Sequence, residues 1–183
     1  METAGLLLLT VKTAIRGCYH RLFAERMIER EYLAISRITD PPAQNHWCVE
    51  NRMESGEPWF RQRIVEGPAN AFTAIELLEL REGTALFRLR PRTGRKHQLR
   101  VHMASLGFPI IGDPFYPEIK ERQNEDPPLQ LLARRLTFID PLSGEPRVER
   151  VQPGKVQPEP QPGDPLVKSP PSHFPSRHEM GTE

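Results

Sequence analysis

A basic segment near the middle of the chain decides how the fold can be interpreted. It runs Leu86-Phe87-Arg88-Leu89-Arg90-Pro91-Arg92-Thr93-Gly94-Arg95-Lys96-His97-Gln98-Leu99-Arg100-Val101-His102. Alternating apolar and polar residues over 85–92 predict a strand. Thr93 and Gly94 predict a turn that opens a helix of about three turns, and Gly107 suits the helix end because glycine favours a C-terminal cap.

Positive charge is concentrated in this segment. Between positions 88 and 100 it has no acidic residue and six cations, namely Arg88, Arg90, Arg92, Arg95, Lys96 and Arg100. A helix start offers free backbone N–H groups, so the combination favours a phosphate-rich polyanion. A solvated basic face explains the charge alone equally well. His97 and His102 are five residues apart, which does not place two ligands on one helix face, so we predict no metal site.

The elements on either side of this segment are mixed. The patterns predict a buried strand over Ala4–Val11, a helix from Thr13 to near Glu29, a strand over Glu31–Arg37, a hairpin around Glu54–Glu57, and strands over Ala71–Leu80, Leu129–Phe138 and Pro146–Val151. Strands in hairpins without regular βαβ alternation predict an α+β fold, with a mixed, mostly antiparallel sheet and a few packed helices.

Composition divides the 183 residues into a domain over 1–150 and a tail over 151–183. The tail holds eight of the 20 prolines and few large apolar residues, so we predict that it is disordered. A partner-binding segment is the other interpretation of this tail. Two cysteines exclude a disulfide scaffold. With no basic leader in Met1–Thr3 and no long apolar run, we expect a cytoplasmic protein without a membrane span.

Several motifs together resemble one family. They are Glu2–Leu9, Glu31–Ala34, Thr93–Met103, Gly107–Asp113 with Tyr116, and Leu131–Phe138. In this order and spacing they are similar to the RluA-type pseudouridine synthases, which convert uridine in RNA to its C-glycoside isomer. The resemblance covers nearly all of 1–150 and implies the pseudouridine synthase catalytic fold, activity on structured RNA (tRNA or rRNA), and no cofactor.

The resemblance also implies roles for individual residues. Tyr32 matches the tyrosine that packs on the target base and is a candidate for proton transfer, and Arg100 matches the arginine that pairs with the catalytic carboxylate. Arg92, Arg95, Lys96, His97 and Gln98 are predicted to contact RNA. From the residues alone, the pattern favours an ordinary half-buried tyrosine at position 32, and for Arg100 the alternative is a group that only positions RNA. Asp113 and Tyr116 are expected to shape a turn.

The chain departs from the family pattern at its first residues. The resembling enzymes carry a His-Arg-Leu-Asp tetrad whose catalytic aspartate stands three residues before a threonine. That threonine is Thr3 here, so the aspartate would fall one residue before Met1. We therefore expect a chain truncated at its N-terminus, inactive alone, with Arg100 lacking its carboxylate and the domain marginally stable. A non-catalytic RNA-binding module is the alternative function. A cofactor-dependent small-molecule enzyme finds little support, because no glycine-rich phosphate loop follows a strand.

Overall fold

One eight-stranded sheet organises the part of the chain that the computed structural model describes, residues 3–151. The elements in chain order are β1 Ala4–Gly5, α1 Thr13–Ala24, β2 Glu29–Arg37, β3 His46–Ser55, β4 Gln62–Val65, β5 Ala71–Arg81, β6 Thr84–Pro91, α2 Gln98–Ser105, β7 Leu131–Ile139 and β8 Pro146–Arg150. The strand order is β1-β7-β2-β6-β5-β3-β4, and β8 pairs with β7. Only the β1–β7 pair is parallel, which confirms the predicted α+β, mostly antiparallel fold.

Hairpins build most of this sheet, and the sequence predicts them well. β3 and β4 join through the loop that begins after Ser55, while β5 and β6 join through the turn after Arg81. In β6 the buried residues Ala85, Phe87 and Leu89 alternate with Leu86, Arg88 and Arg90. Such alternation puts one face of the sheet on the core and the other toward solvent.

The main core lies between the central strands and α2. Phe87 and Leu89 of β6 are fully buried there together with Ala34 of β2 and Met103 of α2. A smaller cluster forms where Leu22 of α1 meets β7. Because Leu99 and Met103 of α2 belong to this core, the helix packs on the core face of the central strands.

The predicted first strand is mostly wrong. Only Ala4–Gly5 pairs with β7, at Leu132 and Ala133, because β8 occupies the same edge of β7 from Arg135 onward. Beyond that point Leu6 and Leu8 pack partly against the α1 cluster. Leu7, Leu9 and Val11 are exposed instead of buried.

The first helix also ends earlier than predicted. It stops at Ala24 and Glu25 caps it, whereas the apolar spacing predicted an end near Glu29. Arg26 then adopts a left-handed backbone with φ 59°. This conformation turns the chain sharply enough for β2 to begin at Glu29, so the last predicted helical residues belong to the turn and the strand.

The predicted disordered tail falls on residues that lie outside the described range, apart from Val151, and it stays a prediction. Within 3–151 neither helix has the length and apolar character needed to cross a bilayer. The same residues include no group of three or more His, Cys, Asp or Glu that could hold a metal ion.

Candidate active site

The turn between β6 and α2 is held by the side chain of Gln98. Its Oε1 accepts hydrogen bonds from Thr93 Oγ1 at 2.8 Å and from the Arg95 backbone N–H at 3.0 Å. Its Nε2 donates to the Phe72 carbonyl and to Thr73 Oγ1. The helix therefore begins at Gln98 and not at Thr93 as predicted, because side-chain bonds close the turn without helical backbone geometry.

His97, just before α2, keeps the helix from extending further toward the N-terminus. Its backbone is left-handed, with φ 55°, which a helix interior does not accommodate. At the other end Gly107 has φ 82°, the conformation that glycine adopts most readily, so the predicted helix end is confirmed. The helix has two turns where the sequence predicted three.

A cavity of about 790 Å³ opens between this turn, the start of α2, and strands β1, β2 and β7. We call it the α2 pocket. Six of the seven predicted site residues line it, namely Tyr32, Arg95, Lys96, His97, Gln98 and Arg100. Arg92 does not, and lines a separate cavity on the other side of Pro91.

Tyr32 forms part of the pocket wall from strand β2. Its ring is half-buried and packs against the main core, in register with Leu89 of β6 and Ala133 of β7. Within residues 3–151 its hydroxyl has no hydrogen-bond partner. An aromatic ring in a wall with Leu99, Leu129 and Leu131 provides an apolar surface on which a flat base can stack.

Arg100 is buried and paired, which corrects the expectation that it lacks a carboxylate. Its Nε donates to Asp113 Oδ2 at 2.7 Å and its Nη2 donates to Asp113 Oδ1. The guanidinium carbon also lies 4.9 Å from the centroid of the Phe115 ring. A bidentate pair of this kind satisfies both charges, so the unpaired charge that predicted marginal stability is not present.

Asp113 has a second function, because the same carboxylate organises the loop after it. Its Oδ1 accepts the backbone N–H groups of Phe115 at 2.8 Å and Tyr116 at 3.1 Å. Gly112 precedes it with φ 76°, and a Cβ there would lie 2.4 Å from the Pro128 carbonyl oxygen, so only glycine fits. The turn expected at Asp113 is present.

His97 projects into the pocket as a neutral imidazole. Burial, reinforced by the charges of Arg100 and Lys96, lowers the pKa of His97 to about 4. Its Nδ1 lies 3.1 Å from the Tyr116 hydroxyl, and its ring packs beside Phe115 with centroids 5.8 Å apart. At neutral pH this side chain therefore offers hydrogen bonds without adding charge to the pocket.

The other predicted RNA contacts differ in accessibility. Arg95 and Lys96 are exposed at the mouth of the pocket, and Lys96 Nζ lies 5.3 Å from the ring centroid of Trp59. Gln98 is buried, and its amide is fully used in the turn. Its predicted contact with RNA thus has no free polar group to use, and its place in the structure is that of a positioning residue.

Support for the pocket comes from His102, one turn further along α2. It is fully buried, with Nε2 3.2 Å from Asn51 Oδ1 and Nδ1 2.9 Å from Thr73 Oγ1. Since Asn51 Oδ1 can only accept, Nε2 carries the proton and Thr73 donates to Nδ1. Burial lowers the pKa of His102 to about 4. The chain of bonds from Gln98 through Thr73 to His102 ties the turn to β3 and β5.

Two features of the site were not predicted from the sequence. Asp113 is the partner of Arg100, although the two stand 13 residues apart along the chain. Phe115 lines the pocket and contacts both Arg100 and His97. Periodicity cannot identify either residue, because both lie in an irregular loop that α2 and the sheet position together. Within the described residues, the pocket lining includes no aspartate or glutamate.

Comparisons with known proteins identify one family. Residues 1–105 match the model of the RNA pseudouridylate synthase family. The dual-specificity RNA pseudouridine synthase RluA of Escherichia coli (strain K12) is 35% identical over 147 residues, which cover 79% of this chain and 66% of that protein. An uncharacterized RNA pseudouridine synthase of Haemophilus influenzae is 34% identical over 120 residues, covering 66% of this chain and 53% of the relative.

A solved structure shows the same fold. Human RNA pseudouridylate synthase domain containing 1 is 28% identical, with a TM-score of 0.64 over 78% of this chain and 61% of that one. The chain thus spans between half and two thirds of the length of these relatives. The fold, the matched residues and the site around α2 agree, and the chain belongs to the RluA-type family of RNA pseudouridine synthases.

Proposed function

We propose that this chain carries the part of an RNA pseudouridine synthase that binds the target base and the surrounding RNA, in an enzyme that isomerises a uridine in a structured tRNA or rRNA. The observation that carries the proposal is the α2 pocket, where an aromatic ring, a buried guanidinium and a basic mouth meet. The target uridine would leave its stack to enter the pocket, at a cost of a few kcal/mol. The reaction requires no redox partner, because substrate and product are isomers.

In the proposed reaction Tyr32 holds the detached uracil. The glycosidic bond to N1 breaks, the base rotates in place, and a new bond forms between C5 and the ribose carbon; C5 then loses its proton and N1 takes one up, so the atoms balance. A free base must stay flat and close to the sugar during this rotation. Stacking on an aromatic face is worth about 1–3 kcal/mol per base, which suits that purpose.

Arg100 would hold the negative charge that the chemistry requires. In the resembling enzymes the arginine pairs with a catalytic carboxylate, and here its guanidinium is already engaged by Asp113 on one side. The ring of Phe115 packs over it, so the guanidinium has a fixed orientation at the pocket wall. A second carboxylate approaching from the pocket would meet an oriented cation, which favours its ionised form.

Phosphate binding is assigned to the exposed cations at the mouth. Arg95 donates from Nε to the Asn70 carbonyl at 3.2 Å and still has free N–H groups. Lys96 lies over the Trp59 ring, which is 80% exposed, so charge and an aromatic face stand together there. Pairing of cations with aromatic rings is typical of surfaces that bind single-stranded nucleic acid.

The pocket lining also supports a second candidate, a binding module without chemistry. No carboxylate from residues 3–151 lines the α2 pocket, while the isomerisation in this family depends on an aspartate. We therefore expect the 183-residue polypeptide to bind uridine-containing RNA and leave it unchanged. Thr3, which matches the threonine after the catalytic tetrad, lines the pocket, so a preceding aspartate is expected to complete the site.

A tritium-release assay tests both candidates. RNA stem-loops labelled at C5 of uridine release tritium only when C5 becomes bonded to ribose. We expect no release from the chain alone, and release once His-Arg-Leu-Asp is fused directly before Met1. The same fusion ending in Asn is the matched control and should stay silent, as should the active fusion carrying Tyr32→Ala.

The outcomes separate the two candidates. Release by the Asp fusion and not by the Asn fusion establishes the enzyme. A folded Asp fusion that binds RNA without releasing tritium favours the binding module. Release by the unfused chain contradicts the requirement for the added aspartate.

A further inference from the structure

A second cavity, of about 610 Å³, lies beside the α2 pocket at the same end of the sheet. Its walls come from the turn after α1, the start of β2, the end of β6 and the end of β7. We call it the arginine groove. It shares Arg30 and Pro91 with the α2 pocket and extends from them onto the sheet face of Glu31 and Arg90, which turns away from the core.

The groove has a marked excess of positive charge. Two carboxylates line it, Glu29 and Glu31, against five guanidinium groups, those of Arg26, Arg30, Arg90, Arg92 and Arg135. Glu31 is already shared, since its oxygens lie 3.6 Å from Arg88, 3.3 Å from Arg90 and 3.5 Å from Arg134. The carboxylates therefore leave most of the groove's cations without neutralisation.

Four of the lining arginines have no carboxylate within salt-bridge distance among residues 3–151. These are Arg26, Arg30, Arg92 and Arg135. Moreover, the Nε atoms of Arg30 and Arg135 are buried without a hydrogen-bond partner in the same part of the chain. A buried N–H group that lacks an acceptor costs free energy, which a bound ligand with acceptor oxygens can recover.

Arg30 is fixed at the junction of the two cavities. Its Nη2 donates to the Thr93 carbonyl at 3.0 Å, and a Cβ on Gly94 would lie 3.0 Å from its Nη1. The guanidinium is thus seated against the turn that carries the α2 pocket. A ligand that follows the line of cations from the pocket would pass over Arg30 into the groove.

We propose that the arginine groove binds the phosphodiester backbone of the RNA strand whose uridine occupies the α2 pocket. Arginine matches phosphate oxygens bidentately and remains charged at any working pH, so several of them around one cavity favour a chain of phosphates. The groove is too large for a single phosphate. The proposal rests on the proposed function for its polymer, while the anion preference comes from the groove itself.

Two exposed arginines of the groove give the sharpest test. The double variant Arg26→Gln and Arg92→Gln removes two charges without touching the core. Its matched control is Arg37→Gln with Arg81→Gln, which removes two exposed charges at the opposite end of the strands. Fluorescence anisotropy with a uridine-containing stem-loop, repeated from 0.05 to 0.5 M salt as a roughly tenfold range, measures affinity and its salt dependence.

We expect the groove variant to lower RNA affinity on the order of tenfold and to reduce the slope of log affinity against log salt by about 2, one unit for each phosphate that is no longer bound. The control variant should keep the slope of the parent. Arg135→Gln, which removes a buried Nε, should act in the same direction. Equal slopes in the groove and control variants would overturn the proposal.

Further experiments identify which phosphate compound the groove binds and test the groove separately from the proposed enzyme activity. Thermal unfolding of the parent and of the groove variant is measured with inorganic phosphate or uridine monophosphate added. If either anion stabilises only the parent, and the groove variant keeps the RNA affinity of the parent, the groove binds a small anion and the proposal of RNA backbone binding is overturned. In the Asp fusion, groove variants should raise KM and leave kcat unchanged. Unchanged KM in an active fusion contradicts the groove alone. Groove-dependent RNA binding by a silent fusion supports the groove and contradicts the enzyme.

Discussion

The α2 pocket and the arginine groove share Arg30 and Pro91, but they neutralise positive charge in opposite ways. In the pocket, Arg100 is buried and its Nε and Nη2 groups are paired with Asp113. In the groove, Arg26, Arg92 and Arg135 have no such partner within the described residues. The charge of Arg100 is used to hold the shape of the pocket, while the charge of the groove's unpaired arginines remains available to a ligand.

The basic segment between positions 88 and 100 contributes cations to both cavities, in two different states of pairing. The six cations between positions 88 and 100 form a single cluster in the sequence, and the structure distributes them. Arg88 and Arg90 pair with Glu31 and Glu76 on the sheet face that turns away from the core. Arg92 enters the groove, and the remaining three line the pocket. Catalysis requires side chains that are held in a fixed orientation, whereas binding of the RNA backbone requires cations that are not already paired within the protein.

The largest expected effect comes from breaking the buried pair. Asp113→Ala leaves Arg100 buried without a partner and frees the backbone N–H groups of Phe115 and Tyr116. Loss of one partner of a buried pair typically costs about 3–5 kcal/mol. Urea unfolding followed by circular dichroism measures the change.

The exposed pair of Arg81 and Glu79 provides the control for Asp113→Ala. Glu79→Ala should leave the free energy of unfolding unchanged within error, because exposed ion pairs contribute little. Asp113→Asn keeps an acceptor for the loop and should fall between the two. Equal stability of the parent and Asp113→Ala would show that Arg100 does not need this carboxylate.

The next effect concerns pH and the support beneath the pocket. The folded-state pKa of His102 is lowered by burial to about 4, below its ordinary 6.5. The neutral form is favoured on folding, so its contribution is fully present above pH 6.5 and is lost as the pH falls toward 4. The full span of this shift corresponds to about 3 kcal/mol.

Measuring the free energy of unfolding at about pH 7.5, 6.0 and 4.5 follows this progressive loss of stability. His102→Gln should lower stability at pH 7.5 and make the curve less steep between these values, with the slope that remains coming from His97, whose pKa is also lowered to about 4. His20→Gln alters an exposed histidine of α1 and should leave the curve unchanged. A His102→Gln curve as steep as that of the parent would assign the pH dependence elsewhere.

How much the sequence predicts depends on the range of the interaction. Strands β2, β5 and β6 follow from local alternation, and the helix end at Gly107 follows from one backbone preference. The start of α2 does not, because Gln98 replaces backbone bonds with side-chain bonds that reach Phe72 and Thr73. The first strand fails for a similar reason, since competition from β8 for the edge of β7 is a tertiary effect.

The site follows the same rule. The residues of 93–100 that line the α2 pocket lie close together in the sequence, so a local pattern contains them. The pairing of Arg100 with Asp113 depends on a loop held by Gly112 and the chain around Pro128. The groove brings together residues from 26 to 135, and no single stretch contains its charge excess.

The smallest expected effect comes from changing a carboxylate that lines the arginine groove. Glu31 is largely buried and faces three arginines, so Glu31→Gln releases Arg90 and Arg134 from their shared partner. We expect stability to fall by about 1 kcal/mol, since the pairs are partly exposed on the arginine side. RNA affinity should rise a few-fold, with a salt slope steeper by about 1 for each additional phosphate that the protein neutralises.

Glu29→Gln is the matched control for this change, because Glu29 lines the same groove, is exposed, and has no ion pair within residues 3–151. It removes the same charge, so the general attraction of RNA rises equally in both variants. Only Glu31→Gln frees guanidinium groups, and only this variant should lose stability. If a folded Glu31→Gln protein bound RNA more weakly than the parent, the freed arginines would not face the RNA. The distinction between a pocket whose Arg100 is paired with Asp113 and a groove whose arginines are available to RNA would then fail.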